Sequence, residues 1–450
     1  MKRNKLIQAG KIIAIALLIS GTATAQKRNE FSLKQAIDYG LKNSYQVKNS
    51  LLDILIQRQV NNDVTSAALP QINANGNITD YLDIPVTLVP AEFFGGPAGT
   101  YEPIQFGTKW TGSAAVTVKQ VLFDGEVFAG LAARKVTINQ KHTAEEVEEI
   151  DVKENIYKVY FQLVASKTQI QLLDANIARL QKLEHDTREM YKNGFNEKLD
   201  VDKVTVQLAN LNTEELRTKN SILNGYNSLK ILIGMPIKDT LILTDTLNES
   251  QIKEGVLESV NYNYTDRKDY QLLQLGEHLN QLNVKRYTRS QIPTLYFNGS
   301  YGKQGYSNNN SFDLLDHNSS WYTTSYIGVQ LSIPIFNGLS TRSKIQESRL
   351  QLKQSQNQLE NMKLTIDKDV DVAKNNFATA ISAMDYQQRN MELAEGVYDQ
   401  TKKKYENGNG ATTEINQAEV DLKTAENDYI QSLYDAISAK VDFLKAVGKL

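Results

Sequence analysis

Two carboxylates stand at matching places in this chain. Asp200 and Glu414 each lie six residues after the glycine of a Tyr-x-Asn-Gly turn, Tyr191-Lys192-Asn193-Gly194 and Tyr405-Glu406-Asn407-Gly408. An acid so placed can do one of two things. At the start of a helix it is favoured by unpaired backbone N–H groups and by the positive end of the helix dipole. Repeated around a symmetry axis, it makes a ring that attracts cations and repels anions. Catalytic chemistry finds fewer openings. There is no cysteine, which removes thiolate nucleophiles, thiolate zinc sites and disulfides. The four histidines, His142, His185, His278 and His317, never fall at ligand spacing. No G-x-S-x-G, H-E-x-x-H or phosphate-cradling glycine loop occurs. The residues therefore predict no enzyme, no cofactor and no metal site.

The elements that must position the two acids come next. The 450 residues are 41% hydrophobic and 23% charged, with a net charge of −2. No basic stripe with interleaved aromatics points to nucleic acid. Lys2, Arg3, Lys5 and Lys11 lead into the apolar run Ile12 to Ile19 and then Ala23-Thr24-Ala25. That is a cleavable export signal, residues 1–25, too short for a membrane span. No later stretch has the 18 or more apolar residues of a membrane helix, so any crossing must be made by β-strands.

The rest is written twice. "VLFDGEVFAGL" (Val121 to Leu131) answers "IPIFNGLSTRS" (Ile333 to Ser343), and Gly125 to Gly338 is 338 − 125 = 213 residues. Tyr191 to Tyr405 and Gly234 to Gly448 are both 214 apart. A register held within one residue over that distance reads as duplication. The expected organisation is a first repeat over 26–234, an equatorial insertion over 235–263 and a second repeat over 264–450.

Each repeat switches period. Ile72, Ala74, Gly76 and Ile78 alternate. So do Val116, Val118, Gln120 and Leu122, then Leu295, Phe297, Gly299 and Tyr301, then Ile327, Val329, Leu331 and Ile333. Period 2 over about ten residues predicts strands long enough to cross a bilayer when tilted. Between the paired strands lie aromatic loops, with Phe93, Phe94 and Trp110 in the first and Phe312, Trp321 and Tyr322 in the second. They read as interfacial girdles or as ordinary loop aromatics. After Phe123-Asp124-Gly125 and Phe336-Asn337-Gly338 the period becomes helical. Val152, Ile156, Val159, Leu163, Ile170, Leu173, Ile177 and Leu180 make a heptad seam. Helices running to Tyr191 and Tyr405 would each be roughly 100 Å long at about 1.5 Å per residue. Return helices end at Gly234 and Gly448, and further helices precede the strands over Ser32 to about Ser66 and about Asp266 to Ser290. The charge clusters Glu145 to Asp151 and Asp367 to Asp371 read as solvated helix faces.

Four strands cannot close a barrel, and an open edge cannot sit in lipid. Closure must come from other copies, and three would give twelve strands around a lumen. The expected fold is a mixed α/β membrane protein: long coiled-coil-like helices in an α-barrel, with four transmembrane strands per chain completing a 12-stranded barrel in a homotrimer.

The duplicated layout, "SLKQAIDYGLKNSYQVK" (Ser32 to Lys48), Pro70 and Pro293 leading the first strand of each pair, the F-D/N-G junctions and the Y-x-x-G turns followed by an acid together resemble the outer-membrane efflux protein family, the TolC-like trimeric exit ducts. The resemblance covers nearly all of the chain beyond the signal. It implies a conduit in the outer membrane of a Gram-negative cell, in contact with outer-membrane lipid and extended through the periplasm. It also implies a periplasmic adaptor and an inner-membrane transporter as partners, in tripartite efflux or type I secretion. The turns would form the closed aperture and the adaptor contact, giving Tyr191, Asn193, Gly194, Phe195, Tyr405, Asn407 and Gly408 as tip residues. Asp200, Glu414 and Gln417 are the aperture candidates. Glu414 matches the outer member of the family's acid pair. Gln417 stands where the second acid would be, and Gly410 replaces the arginine that often follows the turn. The competing expectation is a periplasmic adaptor with a coiled-coil hairpin, which predicts one hairpin flanked by small β-domains rather than two at a fixed offset.

Overall fold

The computed structural model describes residues 29–253, 261–316, 320–407 and 409–450, without the side chains of residues 250 and 251. The export signal (1–25), His317 and Gly408 lie outside the described residues. In chain order the elements are β1 (Asn29–Phe31), α1 (Leu33–Asn43), α2 (Tyr45–Ser66), β2 (Gln71–Asp80), β3 (Val86–Pro90), β4 (Tyr101–Gln105) and β5 (Trp110–Phe123). Then follow α3 (Gly125–Lys192), α4 (Lys198–Ile233), β6 (Leu241–Leu243), α5 (Glu249–Lys253) and α6 (Lys268–Arg289). The chain finishes with β7 (Thr294–Ser307), β8 (Trp321–Ser332), α7 (Ser340–Glu406) and α8 (Thr412–Ala446). No helix among the described residues is long and apolar enough to cross a membrane. Two compact units emerge, and each draws on both halves of the sequence.

The first unit (1–52, 142–271 and 360–450) is helical. The sequence read Ser32 to Ser66 as one helix, but the structure breaks it at Ser44. The Ser44 Oγ accepts the Gln46 N–H at 3.3 Å, starting a new helix. The end of α4 also occupies the break: a Cβ on Gly234 (φ +73°) would lie 2.2 Å from the Asn43 carbonyl oxygen. Only glycine allows both the left-handed turn and that approach. Ser32 opens α1 with a capping box, accepting from Gln35 N–H while the Gln35 side chain accepts from Ser32 N–H.

The core here joins Ala36, Val47, Val152, Ile156, Leu163, Leu229, Ile233, Leu241 and Leu243. The heptad seam is visible, with one substitution. Val159 is half-buried, and Tyr160 is wholly buried in its place. Tyr160 Oη donates to the Phe31 carbonyl at 2.9 Å and accepts from Asp245 N–H at 3.3 Å. Burial pushes its pKa up to about 12. It thereby fastens α3 to β1 and to the segment after β6, which pair in parallel with Asn29 opposite Leu241 and Phe31 opposite Leu243.

The charge clusters, read from sequence as solvated faces, are partly exposed but include acids with distant partners. Asp367 is held by Tyr262 Oη at 2.7 Å and Tyr264 Oη at 3.2 Å. Asp369 meets Arg267 at 3.5 Å. Glu146 pairs with Lys268 at 2.9 Å and Asp151 with Lys445 at 2.7 Å. The acids along α3 and α7 staple the ends of α6 and α8 and the segment before α6. Their partners are 100 to 300 residues away, which is why their spacing looked like plain surface.

The second unit (53–141 and 272–359) carries an antiparallel sheet in the order β2-β5-β7-β8. The four alternating runs read from sequence fall on one face within the strands, as far as a register shift at Leu122, beyond which Phe123 stands opposite Leu295. Ala74 stands opposite Val116, Val116 opposite Tyr301, and Phe297 opposite Val329. The other face aligns Asn73, Asn75 and Asn77 with Thr117, Ala115 and Ser113, and Asn298 and Ser300 with Gly328 and Tyr326. One face is apolar and one polar, the pattern of a barrel wall between lipid and water. Trp321 lies on the apolar face against Gly305 and Gly112, and its Nε1 donates to the Leu314 carbonyl at 3.0 Å. The first aromatic loop contains a hairpin, β3 paired with β4, that sequence reading missed. Pro90 and Pro103 inside its short strands hide the signal.

At the β5–α3 junction Asp124 explains the F-D-G motif. Its Oδ1 accepts from Glu126 N–H at 2.8 Å and Val127 N–H at 3.3 Å, capping α3. Its Oδ2 accepts from Tyr296 Oη on β7 at 2.9 Å.

The first unit's packing makes one direct prediction. Replacing Tyr160 with Phe keeps the ring but takes the partner from the Asp245 N–H and leaves the Phe31 carbonyl with the Thr244 N–H alone. Stability should fall by about 1–3 kcal/mol, read from the thermal or urea midpoint of the detergent-solubilised protein. An unchanged midpoint would contradict the role given to that hydroxyl.

Candidate functional site: the two helix turns

Both turns belong to the first unit, and the first has a complete glycine stop. Gly194 has φ +80°. Its N–H donates to the Tyr191 carbonyl at 3.0 Å, and Phe195 N–H donates to the Met190 carbonyl at 2.9 Å. This pair of bonds satisfies the last carbonyls of α3 and reverses the chain. Asn193 Nδ2 adds a bond to the Glu189 carbonyl at 2.8 Å. In the second turn Asn407 N–H donates to the Lys403 carbonyl at 3.1 Å, and Asn409 N–H reaches back five residues to the Lys404 carbonyl at 3.0 Å.

The two tyrosines then part company. Tyr405 is 4% exposed, while Tyr191 is 44% exposed. The Tyr405 Oη lies 3.0 Å from Thr187 Oγ1 and accepts from Asn196 Nδ2 at 3.1 Å. The second turn is thus stitched to the first through one phenol. Tyr405 packs with Leu180, Leu183, Val204, Ile415, Ala418 and Leu422. Phe195 projects outward, 81% exposed. Gly410 has a steric reason: a Cβ there would lie 2.9 Å from the Tyr405 backbone nitrogen. No arginine fits without moving that turn.

Asp200 and Glu414 occupy the same helical position. Each is the third residue of its helix, after Glu197 and Ala411 as caps that make no side-chain cap bond. Their carboxylates therefore face the positive end of a helix whose first N–H groups have no capping side chain. Each also pairs with a lysine, Asp200 with Lys203 at 3.6 Å and Glu414 with Lys404 at 3.8 Å. The Glu414 pair is largely exposed, so it contributes little stability. Gln417 Nε2 donates to Asp421 Oδ1 at 2.7 Å. Gln417 also lines a groove of about 530 Å³ with Asn416 and Val420 on α8 and Asp202 and Val206 on α4. Among the described residues no three His, Asp or Glu side chains gather as a metal site.

A buried ionic cluster behind the turns was missed by sequence reading. Arg179 on α3 lies 3.3 Å from both Glu419 and Glu426 on α8 and 5.6 Å above the Tyr398 ring. Asn176 Nδ2 donates to Glu426 Oε2 at 2.9 Å, and its Oδ1 accepts from Arg179. Asn176, Glu419 and Glu426 are all buried. Spacings of three (Asn176, Arg179) and seven (Glu419, Glu426) put each pair on one helix face, which was the available signal. Two carboxylates share one guanidinium. Burial lifts the Glu419 pKa above the ordinary carboxylate value, with Arg179 pulling the other way. Burial and Glu419 together push Tyr398 up to about 12.

The sign of the resulting pH effect follows from that shift. Below the ordinary carboxylate pKa, folded and unfolded chains both carry the proton. As pH rises from that value toward the lifted one, the unfolded chain releases its proton while the buried Glu419 keeps it, and stability falls until the lifted value is passed. Glu419→Gln removes this term. On going from pH 7.5 down to the ordinary carboxylate pKa, near pH 4.5, the thermal midpoint of the parent should gain relative to that of Glu419→Gln. A constant difference between the two would contradict the burial of charge at Glu419.

The comparisons with known proteins fit this architecture. The family described as outer membrane efflux protein matches residues 278–449. Outer membrane protein TolC of Vibrio cholerae serotype O1 is 19% identical over 340 residues, 75% of this chain and 77% of that protein. Among solved structures, the outer membrane protein VceC of Vibrio cholerae has TM-score 0.70 at 13% identity, covering 92% of this chain and 96% of VceC. The Campylobacter jejuni CmeC outer membrane channel has TM-score 0.73 at 16% identity, covering 93% of this chain and 85% of CmeC. The fold extends along nine tenths of the chain, well beyond the matched segment. Residues 278–449 are thus similar to the outer membrane efflux proteins, and the likeness of fold runs along most of the rest of the chain.

Proposed function

We propose that this protein is the outer-membrane exit duct of a tripartite export system, assembled from three copies. The observation that carries the reading is the β2-β5-β7-β8 sheet. It has one apolar and one polar face, strands of 10 to 14 residues, and two edges with a single neighbour each among the described residues. Such a sheet crosses a bilayer only when its edges are paired. Three copies supply twelve strands, enough to leave a lumen lined by the polar face. The repeats 26–234 and 264–450, with the insertion 235–263 between them, then give each copy two similar staves.

In this reading the helices stand in the periplasm, and the turns at Gly194 and Asn407 meet a periplasmic adaptor that couples the duct to an inner-membrane transporter. Exposed Phe195 and Tyr191 are suited to such a contact, as aromatic anchors are. Asp200, Glu414 and Gln417 surround the aperture, closed in part by the Tyr405 bonds to Thr187 and Asn196. Both acids also have the simpler helix-end role, and the two roles are separable by experiment. A periplasmic adaptor, the competing expectation, has no use for a wide sheet with a continuous apolar face.

Reconstitution in a planar bilayer tests duct and aperture together. The protein should form pores, and under a salt gradient their reversal potential should show cation preference. Glu414→Gln should shift the reversal potential toward anions, and Gln417→Asp should shift it toward cations. Three equal reversal potentials would leave Glu414 as a helix-end residue only. Failure to form pores from folded protein would contradict the duct itself.

A further inference from the structure

The apolar face of the β2-β5-β7-β8 sheet carries a lysine left without a partner among the described residues. Lys303 stands opposite Ala114 on β5 and Thr323 on β8. It shares the alternation of Leu295, Phe297 and Tyr301, so its side chain leaves the sheet on the apolar face. It is exposed, and among the described residues it makes no ion pair and no hydrogen bond. The other charge on that face of the strands is Asp80, at the end of β2. Asp80 lies four residues beyond Gly76, which faces Ala114 from the other side, and four residues of strand are roughly 13 Å. The lysine of the polar face, Lys119, is by contrast seated 4.6 Å over the Tyr296 ring.

The strand sets the height of Lys303 in the wall. Helices α2 and α6 lead into β2 and β7, and α3 and α7 follow β5 and β8, so all four attach at one end of the sheet. Lys303 lies toward the other end. From Leu295 to Lys303 is 303 − 295 = 8 residues, which at about 3.3 Å each and a tilt of about 40° is roughly 20 Å of height. The apolar band of a membrane barrel is about 25 Å tall, so a lysine stem reaches its outer boundary. The aliphatic row stops at the same level. Ile327, Val329 and Leu331 on β8 give way to Ser325 opposite Tyr301 and Thr323 opposite Lys303. A cation at this height meets lipid headgroups.

Beside the lysine the sheet is hollowed. Gly76, Ala114 and Val116 floor a notch of about 880 Å³, and Tyr301, Lys303 and Trp321 stand around it. Trp321 closes the outer side. A Cβ on Gly305 would lie 2.9 Å from its ring, and one on Gly112 3.1 Å. Its Nε1 is engaged by the Leu314 carbonyl, which leaves the ring as an apolar wall. The notch is centred on the inner strands β5 and β7, so a copy paired at an open edge does not cover it.

We infer that this notch binds one lipid with an anionic phosphate headgroup from the outer leaflet. The inference rests on the duct reading above, which turns the end of the sheet away from the helices outward. The Lys303 ammonium takes the phosphate. The Thr323 and Ser325 hydroxyls stand beside it, both exposed and both without a hydrogen bond among the described residues. An acyl chain descends over Ala114 toward Val116. Charge and shape select the occupant together: the cation requires an anionic headgroup, and the apolar floor below it requires a chain that free phosphate lacks.

Trp110 and Trp321 are the two tryptophans of the chain, so Trp110→Phe leaves Trp321 as the sole reporter beside the notch. The variant is reconstituted in phosphatidylcholine vesicles, and brominated phosphatidic acid or brominated phosphatidylcholine is mixed in as quencher. Phosphatidic acid should be preferred about fivefold at Trp321. Lys303→Met should abolish that preference, and Lys303→Arg should keep it. Equal quenching by the two lipids, or a preference that survives Lys303→Met or is lost in Lys303→Arg, overturns the site and leaves the sheet in the membrane. Loss of the preference in excess inorganic phosphate at constant ionic strength assigns the site to a free anion and overturns the lipid. No quenching by either lipid puts Trp321 outside the bilayer and overturns the duct reading along with the site.

Discussion

Unpaired backbone groups cannot remain in a bilayer, and the architecture of this protein is organised around that constraint. Each N–H and C=O left without a partner in hydrocarbon costs several kcal/mol. A sheet of four strands satisfies its inner groups and leaves two edges open. The alternation along every strand, the small residues where aromatic or branched side chains cross, and the bare apolar segment after β8 are consistent with edges completed by further copies. Covering the edges with a helix or blunting them with charge, the usual devices of soluble sheets, is not the pattern here. Ile327, Val329, Leu331 and Ile333 keep an apolar row along the edge strand and just beyond it.

Matching positions in the two halves of the chain carry related devices that differ in detail. Asp124 caps α3 and binds Tyr296, whereas its counterpart Asn337 leads into Gly338 and Leu339, both left-handed at φ +65° and +67°. A left-handed leucine is strained, and it sits where the chain changes from strand to helix beside the open edge. Tyr191 remains exposed at the first turn, while Tyr405 is buried and binds across to α3 and the first turn. The helical unit is held at two levels by single phenols, Tyr160 among the elements around β1 and Tyr405 at the turns. Between them lies the Arg179 cluster, where one guanidinium holds two carboxylates that could not be buried alone.

Much of the fold was legible because its signals are periodic or local. The four strand runs, the heptad seam, the capping sequence at Ser32 and the Asn-Gly turn at Gly194 all depend on neighbours within one element. The misses are contacts between distant segments. The break at Ser44 needs Gly234, and the burial of Tyr160 rather than Val159 needs the Phe31 carbonyl. Asp367 needs Tyr262 and Tyr264, and Glu419 needs Arg179. Each of these residues looks ordinary in its own window. The candidate acids were legible as helix-first-turn residues, which the structure bears out. Their relation to an axis belongs to the assembly, beyond what one chain contains.

Amide hydrogen exchange of the protein in outer-membrane vesicles addresses the edge constraint most directly. Four peptides suffice, one from each of β2, β5, β7 and β8. If other copies complete the edges, amides of Gln71–Asp80 and Trp321–Ser332 should be as protected as those of Trp110–Phe123 and Thr294–Ser307. Fast exchange along the two edge strands, with β5 and β7 still protected in the same sample, would contradict the closed wall on which this account rests.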